Sequence, residues 1–150
     1  MKYLMVIVAL MISGCTSMDV KPIPATANVK HVCIEDNKKV KVEDFLGVVR
    51  DSLLEHGITS DLIDVDNDKY SNIKPIDMGD KCDTRMRYTA LRSWDFTTYL
   101  SHAEIRIFQD EDAVGEAIFH LRGKGGLSLM KFEGTEYKIK PLMELLLENY

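Results

Sequence analysis

Apolar positions along this chain follow three rhythms. The first is an unbroken apolar run from Tyr3 to Leu10 or Met11, preceded by Lys2. The second is alternation with period two, which recurs in Cys82–Leu91, Tyr99–Phe108 and Val114–Arg122 and predicts three half-buried strands. The third is helical spacing. Val42, Phe45, Leu46, Val49 and Leu53 predict a helix over Val42–His56, with Gly57 as its stop. Ile139, Leu142, Met143 and Leu146 predict a second helix that starts near a Thr135 cap, and Pro141 restricts that start or kinks the helix. Val29–Glu35 and Ile58–Val65 are short and β-prone. Asp64–Lys81 is rich in Asp and Asn and reads as a loop. Gly123–Gly126 breaks the pattern before a short strand at Leu127–Phe132. The order is β-α-β, then a meander of strands, then α. Two amphipathic helices need one sheet face to cover, so the expected fold is α+β: a mainly antiparallel sheet of five or six strands with both helices on one side.

The register of one hairpin follows from the same pattern. Ala103, Ile105 and Ile107 form one apolar set, and Ala117, Phe119 and Leu121 form its counterpart. A one-residue slip would put the two sets on opposite faces. A three-residue turn at Asp110–Asp112 therefore pairs Ala103 with Phe119 and Ile105 with Ala117. On the other face it pairs His102 with His120, Glu104 with Ile118 and Arg106 with Glu116. Met86, Tyr88 and Ala90 of the preceding strand should face the core. Arg85 and Arg87 then join His102, Glu104, Arg106, Glu116, His120 and Arg122 on a polar face of mixed sign.

The N-terminal run has the length of a signal-peptide h-region and is too short to span a bilayer. It leads into Ile12-Ser13-Gly14-Cys15, which resembles the bacterial lipobox, where the cysteine is alkylated with diacylglycerol and becomes the first mature residue. The expected organisation is a signal peptide at 1–14, a lipidated N-terminus and linker at 15–28, and one periplasmic domain at 29–150. Pro22 and Pro24 make the linker read as extended. The residues after Cys15 are Thr16 and Ser17, neither of them the Asp that resembles an inner-membrane retention signal, so the expected location is the periplasmic side of the outer membrane. Removing residues 1–14 takes away one Lys and no acid, which moves the formal charge from −5 to −6 and leaves 136 residues. That acidic balance argues against nucleic acid as a partner. With Cys15 committed to lipid, Cys33 and Cys82 remain, and an oxidising compartment favours their pairing. One tension stands against that bridge: Val32 and Ile34 look core-facing, which turns Cys33 away from the face expected of Cys82.

Few residues carry the pattern of a chemical site. The Arg/His face (Arg85, Arg87, His102, Glu104, Arg106, His120) reads either as a solvated sheet face with cross-strand ion pairs or as a surface for a protein partner or an anionic ligand. Two His and one acid on flat strands lack closed zinc geometry, so no metal is expected. Trp94, the only tryptophan, falls in a predicted turn and either closes one end of the core or anchors a partner. Gly123-Lys124-Gly125-Gly126 lacks the spacing of a phosphate loop and reads as a turn. Ser101 and His102 are adjacent on a strand and point to opposite faces, which argues against a hydrolase. No cofactor motif is present, and the chain is expected not to be an enzyme.

Thr89–Asp95 (TALRSWD), Tyr99–Ile107 (YLSHAEIRI), Gly123–Glu136 (GKGGLSLMKFEGTE) and HVCIEDN from His31 resemble stretches of a group of uncharacterised proteobacterial lipoproteins. The resemblance implies a lipobox and an envelope location, and it carries over no functional residues. The expected function is a non-enzymatic interaction or accessory domain tethered to the outer membrane, with an envelope protein as partner. The alternative is a small-ligand or anion binder that uses the Arg/His face.

Overall fold

The computed structural model describes residues 16–64, 82–121 and 129–150. Its strands are β1 (Thr16–Lys21), β2 (His31–Glu35), β3 (Thr59–Ile63), β4 (Thr84–Asp95), β5 (Thr97–Gln109) and β6 (Asp112–Leu121). Its helices are α1 (Phe45–Glu55) and α2 (Thr135–Leu146), and short 3-10 turns lie at Ala25–Ala27 and Leu129–Phe132. The six strands form one sheet in the order β1-β6-β5-β4-β2-β3.

The α+β class and the mainly antiparallel sheet stand, but the sheet is mixed rather than purely antiparallel. β2 runs parallel to both β3 and β4. The reason is local: β2 and β3 are joined through α1, and a strand that returns through a helix lies parallel to the one it left. The antiparallel part is the meander β4-β5-β6 with β1 added at its edge. Leu127–Phe132 was expected to hold a short strand. Its described part, Leu129–Phe132, is a 3-10 turn.

The hairpin register matches the alternation argument. His102 pairs with His120, Ala103 with Phe119, Glu104 with Ile118, Ile105 with Ala117 and Arg106 with Glu116. The turn itself differs. Gln109 pairs with Asp112, which leaves two turn residues, and a bulge after Ile107 supplies the extra residue. Asp110 takes a left-handed backbone (φ 52), which suits Asp in a tight turn. Either route puts the same side chains on the core face, because burial and not the turn fixes the phase.

Both helices cover that core face. Phe45 stacks on Tyr88 with ring centroids 5.4 Å apart, and Val49 and Leu53 continue the buried stripe of α1. Ile139, Leu142, Met143 and Leu146 do the same for α2, whose helix continues through Pro141. Gly134, not Thr135, occupies the cap position. The Thr135 hydroxyl instead donates to the Glu43 carbonyl (3.0 Å), which ties the two helix starts together.

The largest correction concerns residues 16–28, expected to be a linker. Thr16–Lys21 is an edge strand paired residue by residue with β6. Ile23 is fully buried, and its amide donates to the Leu146 carbonyl at 2.9 Å. Asn149 Nδ2 donates to the Ile23 carbonyl, and the Tyr150 hydroxyl accepts from the Val29 amide. Pro22 and Pro24 were read as signs of an extended tether. They lie instead in a strap that crosses the end of the sheet from β1 to β2. Gly115 makes room for it: a Cβ there would sit 2.6 Å from Ile23 Cγ1 and 3.2 Å from Leu146 Cδ1.

Cys33 and Cys82 form a disulfide, with Cα atoms 5.6 Å apart. The phase of β2 was read correctly, since Val32 and Ile34 are in the core. Cys82 lies before β4 begins and is free of that strand's alternation, so it can meet Cys33 on the other face. Two outcomes follow. Ile23→Ala should cost about 2–5 kcal/mol in denaturant unfolding, as core truncations do; a change within about 0.5 kcal/mol would mean that the segment is a tether after all. Reducing the disulfide, which spans 49 residues of separation, should lower stability by up to about 4 kcal/mol, read as a shift in the urea midpoint.

Candidate functional site

The outer face of the sheet gathers most of the residues singled out from the sequence. Glu35, at the end of β2, reaches two arginines of β4: Arg87 Nε at 2.8 Å and Arg85 Nη1 at 3.8 Å. Arg85 also donates to the Asp110 carbonyl, and the Arg87 guanidinium lies 5.3 Å from the centre of the Phe108 ring. Arg106 sits between Glu104 and Glu116, at 2.6 Å from each. Hydrogen bonding to Glu116, with the charges of both acids, holds the Arg106 proton more tightly than usual. The His102 and His120 rings meet edge to face, 5.5 Å between centroids, and His102 Nε2 lies 3.9 Å from Glu104. Arg122 lies outside the described residues, as do Cys15 and the Gly123–Gly126 turn.

Each of these arginines therefore meets a carboxylate. Glu35, which no sequence pattern singled out, is the centre of one pairing; its side chain is only 13% exposed. An anion would have to displace Glu35, Glu104 or Glu116 to reach the guanidinium groups. Among the described residues, no group of three or more His, Cys, Asp and Glu side chains could hold a metal ion.

Trp94 does not close the core. β4 and β5 extend past the expected ends at Leu91 and Tyr99 and join through Phe96 alone, so Trp94 stands near the tip of a long hairpin, 73% exposed. That end of the hairpin is pinned from α2 and the turn before it. Lys131, itself buried, pairs with Asp95. Lys138 is 3% exposed, and its ammonium donates to the carbonyls of Lys131 (2.6 Å) and Leu100 (3.3 Å) beside the Tyr99 ring. Burial lowers its proton affinity, and Glu133 opposes that effect. The helical spacing of Lys138 to Leu142 sets this lysine on the apolar stripe of α2, which is the one signal in the sequence for its place.

A third feature is an open apolar groove between β1 and α2, lined by Met18, Tyr137, Pro141 and Leu145 among others. It exists because residues 16–21 form a strand.

No protein-family model matches the chain, and no curated protein does. Among solved structures, the chain is similar to the PelC dodecamer from Paraburkholderia phytofirmans, with a TM-score of 0.51 and 12% identity over 85% of this chain and 98% of that one. At that identity the likeness is one of fold. A PDZ domain protein from Parabacteroides distasonis matches with a TM-score of 0.39 and 11% identity, over 87% of this chain and 36% of that one.

Lys138 makes a pH prediction. In the unfolded chain its ammonium is fully hydrated; in the fold it is desolvated and releases its proton at lower pH. Below that folded value the native state carries the whole cost of a buried charge. As pH rises from there towards the ordinary lysine value, the unfolded chain holds more protons, so stability rises. Lys138→Met should remove this contribution: the stability of wild type relative to the variant should grow as pH rises towards the ordinary lysine value of about 10.4. A difference that stays flat across that range would contradict it.

Proposed function

We propose that the chain is a lipoprotein, acylated at Cys15 and held on the periplasmic side of the outer membrane, where the domain serves as a non-enzymatic interaction or accessory module. The observation that carries this reading is the lipobox Ile12-Ser13-Gly14-Cys15 directly after an apolar h-region. The Cys33–Cys82 disulfide supports it, since such bonds persist outside the reducing cytoplasm. The resemblance to proteobacterial lipoproteins in the four stretches quoted above points the same way, and membership in that group is part of the proposal. No helix among the described residues is long and apolar enough to cross a membrane, so lipid is the anchor that the reading needs.

The interaction reading is preferred over anion binding because the sheet's arginines are already held by Glu35, Glu104 and Glu116. A mixed-sign face of this kind matches a protein surface of complementary charge better than a free anion.

The test has two parts. In cells fed an alkyne fatty acid, the wild type should take up label and fractionate with the outer membrane, while Cys15→Ala should lose the label; equal labelling of both would refute acylation at this residue. Crosslinking in intact envelopes should then capture a partner through the sheet face, and Arg87→Gln, which leaves Glu35 paired with Arg85, should reduce capture at least about threefold while the protein remains folded by thermal denaturation. The same crosslinks distinguish a different envelope protein from a second copy of this chain, the arrangement that the PelC dodecamer illustrates for a protein of similar fold.

A further inference from the structure

The residue after Cys15 begins a strand, and the pairings show what stands beside it. Ser17 is level with His120, and His120 is level with His102 of β5. Thr16 is therefore about level with Ser101. Among the described residues, β4 and β5 continue past that level, paired to each other, to the turn at Phe96. The tip of that hairpin projects four to five residues beyond Thr16, roughly 13–16 Å at the usual rise per residue. Sideways, β5 is two strand spacings from β1, about 10 Å. The hairpin tip and the start of the folded chain thus point out of the same end of the sheet.

The tip breaks two local rules at once. Leu91, Trp94 and Phe96 are 56%, 73% and 90% exposed, and Phe96 and Trp94 are the two most exposed large hydrophobics among the described residues. Phe96, the single turn residue, has φ 61, a left-handed backbone usually given to Gly, Asn or Asp. Conflicts of this kind between residue type and site are where function overrides stability. The residues around them are held in place: Asp95, between Trp94 and Phe96, pairs with buried Lys131, Tyr99 and Leu100 are buried, and Lys138 bonds the Leu100 carbonyl.

We infer that the β4–β5 hairpin is a lipid-contacting arm, whose Trp94 and Phe96 enter the interface of the bilayer to which Cys15 is tethered. This rests on the acylation of Cys15. A bilayer is the occupant favoured here because the arm leaves the domain beside the anchored residue and overreaches it by more than the interfacial layer, roughly 5–8 Å per leaflet. Trp is the side chain most suited to that layer, with an apolar ring and one N–H to keep wet. The arm and the lipid give two points of attachment, which set the domain's orientation as well as its position.

Trp94 is the only tryptophan, so its fluorescence reports the arm alone. The full mature chain, purified from cells, is reconstituted into phosphatidylethanolamine–phosphatidylglycerol vesicles with and without brominated acyl chains. Emission should shift to the blue, and brominated lipid should quench it at least about twofold, as expected for an interfacial indole. Phe96→Asp should weaken the quenching while the melting temperature holds. Unquenched Trp94 on vesicle-bound protein overturns the inference, including the case in which an envelope protein shields it instead. Intact mass reads acylation separately. If Cys15 carries no lipid, the tether reading fails by that measurement, and the arm is still judged by quenching at saturating vesicle concentration: quenching supports it, and its absence overturns it.

Discussion

Ile23 sits between the backbone of Gly115 on β6 and the side chain of Leu146 on α2, and the arrangement of the whole domain follows from that contact. With Ile23 buried, the strap from Lys21 to Lys30 must cross the end of the sheet. β1 must then lie along β6, and β2 must enter on the far side of β4. The strap's amide and carbonyl groups are taken up by Leu146, Asn149, Gln109 and Tyr150. Buried backbone without such partners would be costly, so the C-terminal residues are as much part of this junction as Ile23 itself. Only a residue without a Cβ lets the strap pass so close to β6.

This junction changes what a lipid on Cys15 would do. A flexible linker of a dozen residues would leave the domain free to tumble and to search for partners away from the surface. A strand that begins at Thr16 removes that freedom. On the proposed reading, with Cys15 acylated, the domain would lie against the membrane, and what it presents would be decided by how it is oriented there. In that setting the two faces have separate work. The hairpin end points out of the side of the sheet where Thr16 lies, and Met18, Tyr137 and Leu145 line the groove between β1 and α2. The outer sheet face, with Glu35 between two arginines and Arg106 between two acids, would on that reading be left for a partner. Because its charges are largely compensated within the face, it offers pattern and register more than net attraction.

The polar groups beneath the hairpin give the arm a rigid base. Lys131 and Lys138 are both buried, and each meets specific oxygen atoms of the β4–β5 arm or of the turn before α2. A buried ammonium contributes little net stability once desolvation is counted, but it is exacting about where its acceptors must lie. An apolar residue in place of Lys138 would fill the space and leave the Leu100 and Lys131 carbonyls without that donor.

Much of this domain is legible in the residues alone. Alternation fixed the phase of β4, β5 and β6, because a slip would expose Ile105 or Phe119, and helical spacing located both helices. The pairing of His102 with His120 and of Arg106 with Glu116 followed from that phase. Redox compartment and elimination pointed to Cys33 and Cys82. What periodicity cannot carry is long-range placement. β1 is six residues with Ser, Asp and Lys among them, and its strand character comes from the open edge of β6 rather than from its own composition. The parallel direction of β2 beside β4, Glu35 between Arg85 and Arg87, and the burial of Ile23 and Lys138 likewise depend on which elements become neighbours. The residue pattern settles both helices, the alternating strands and their buried faces; packing settles β1 and Ile23, because an edge strand is made by its partner and a buried residue by what closes over it.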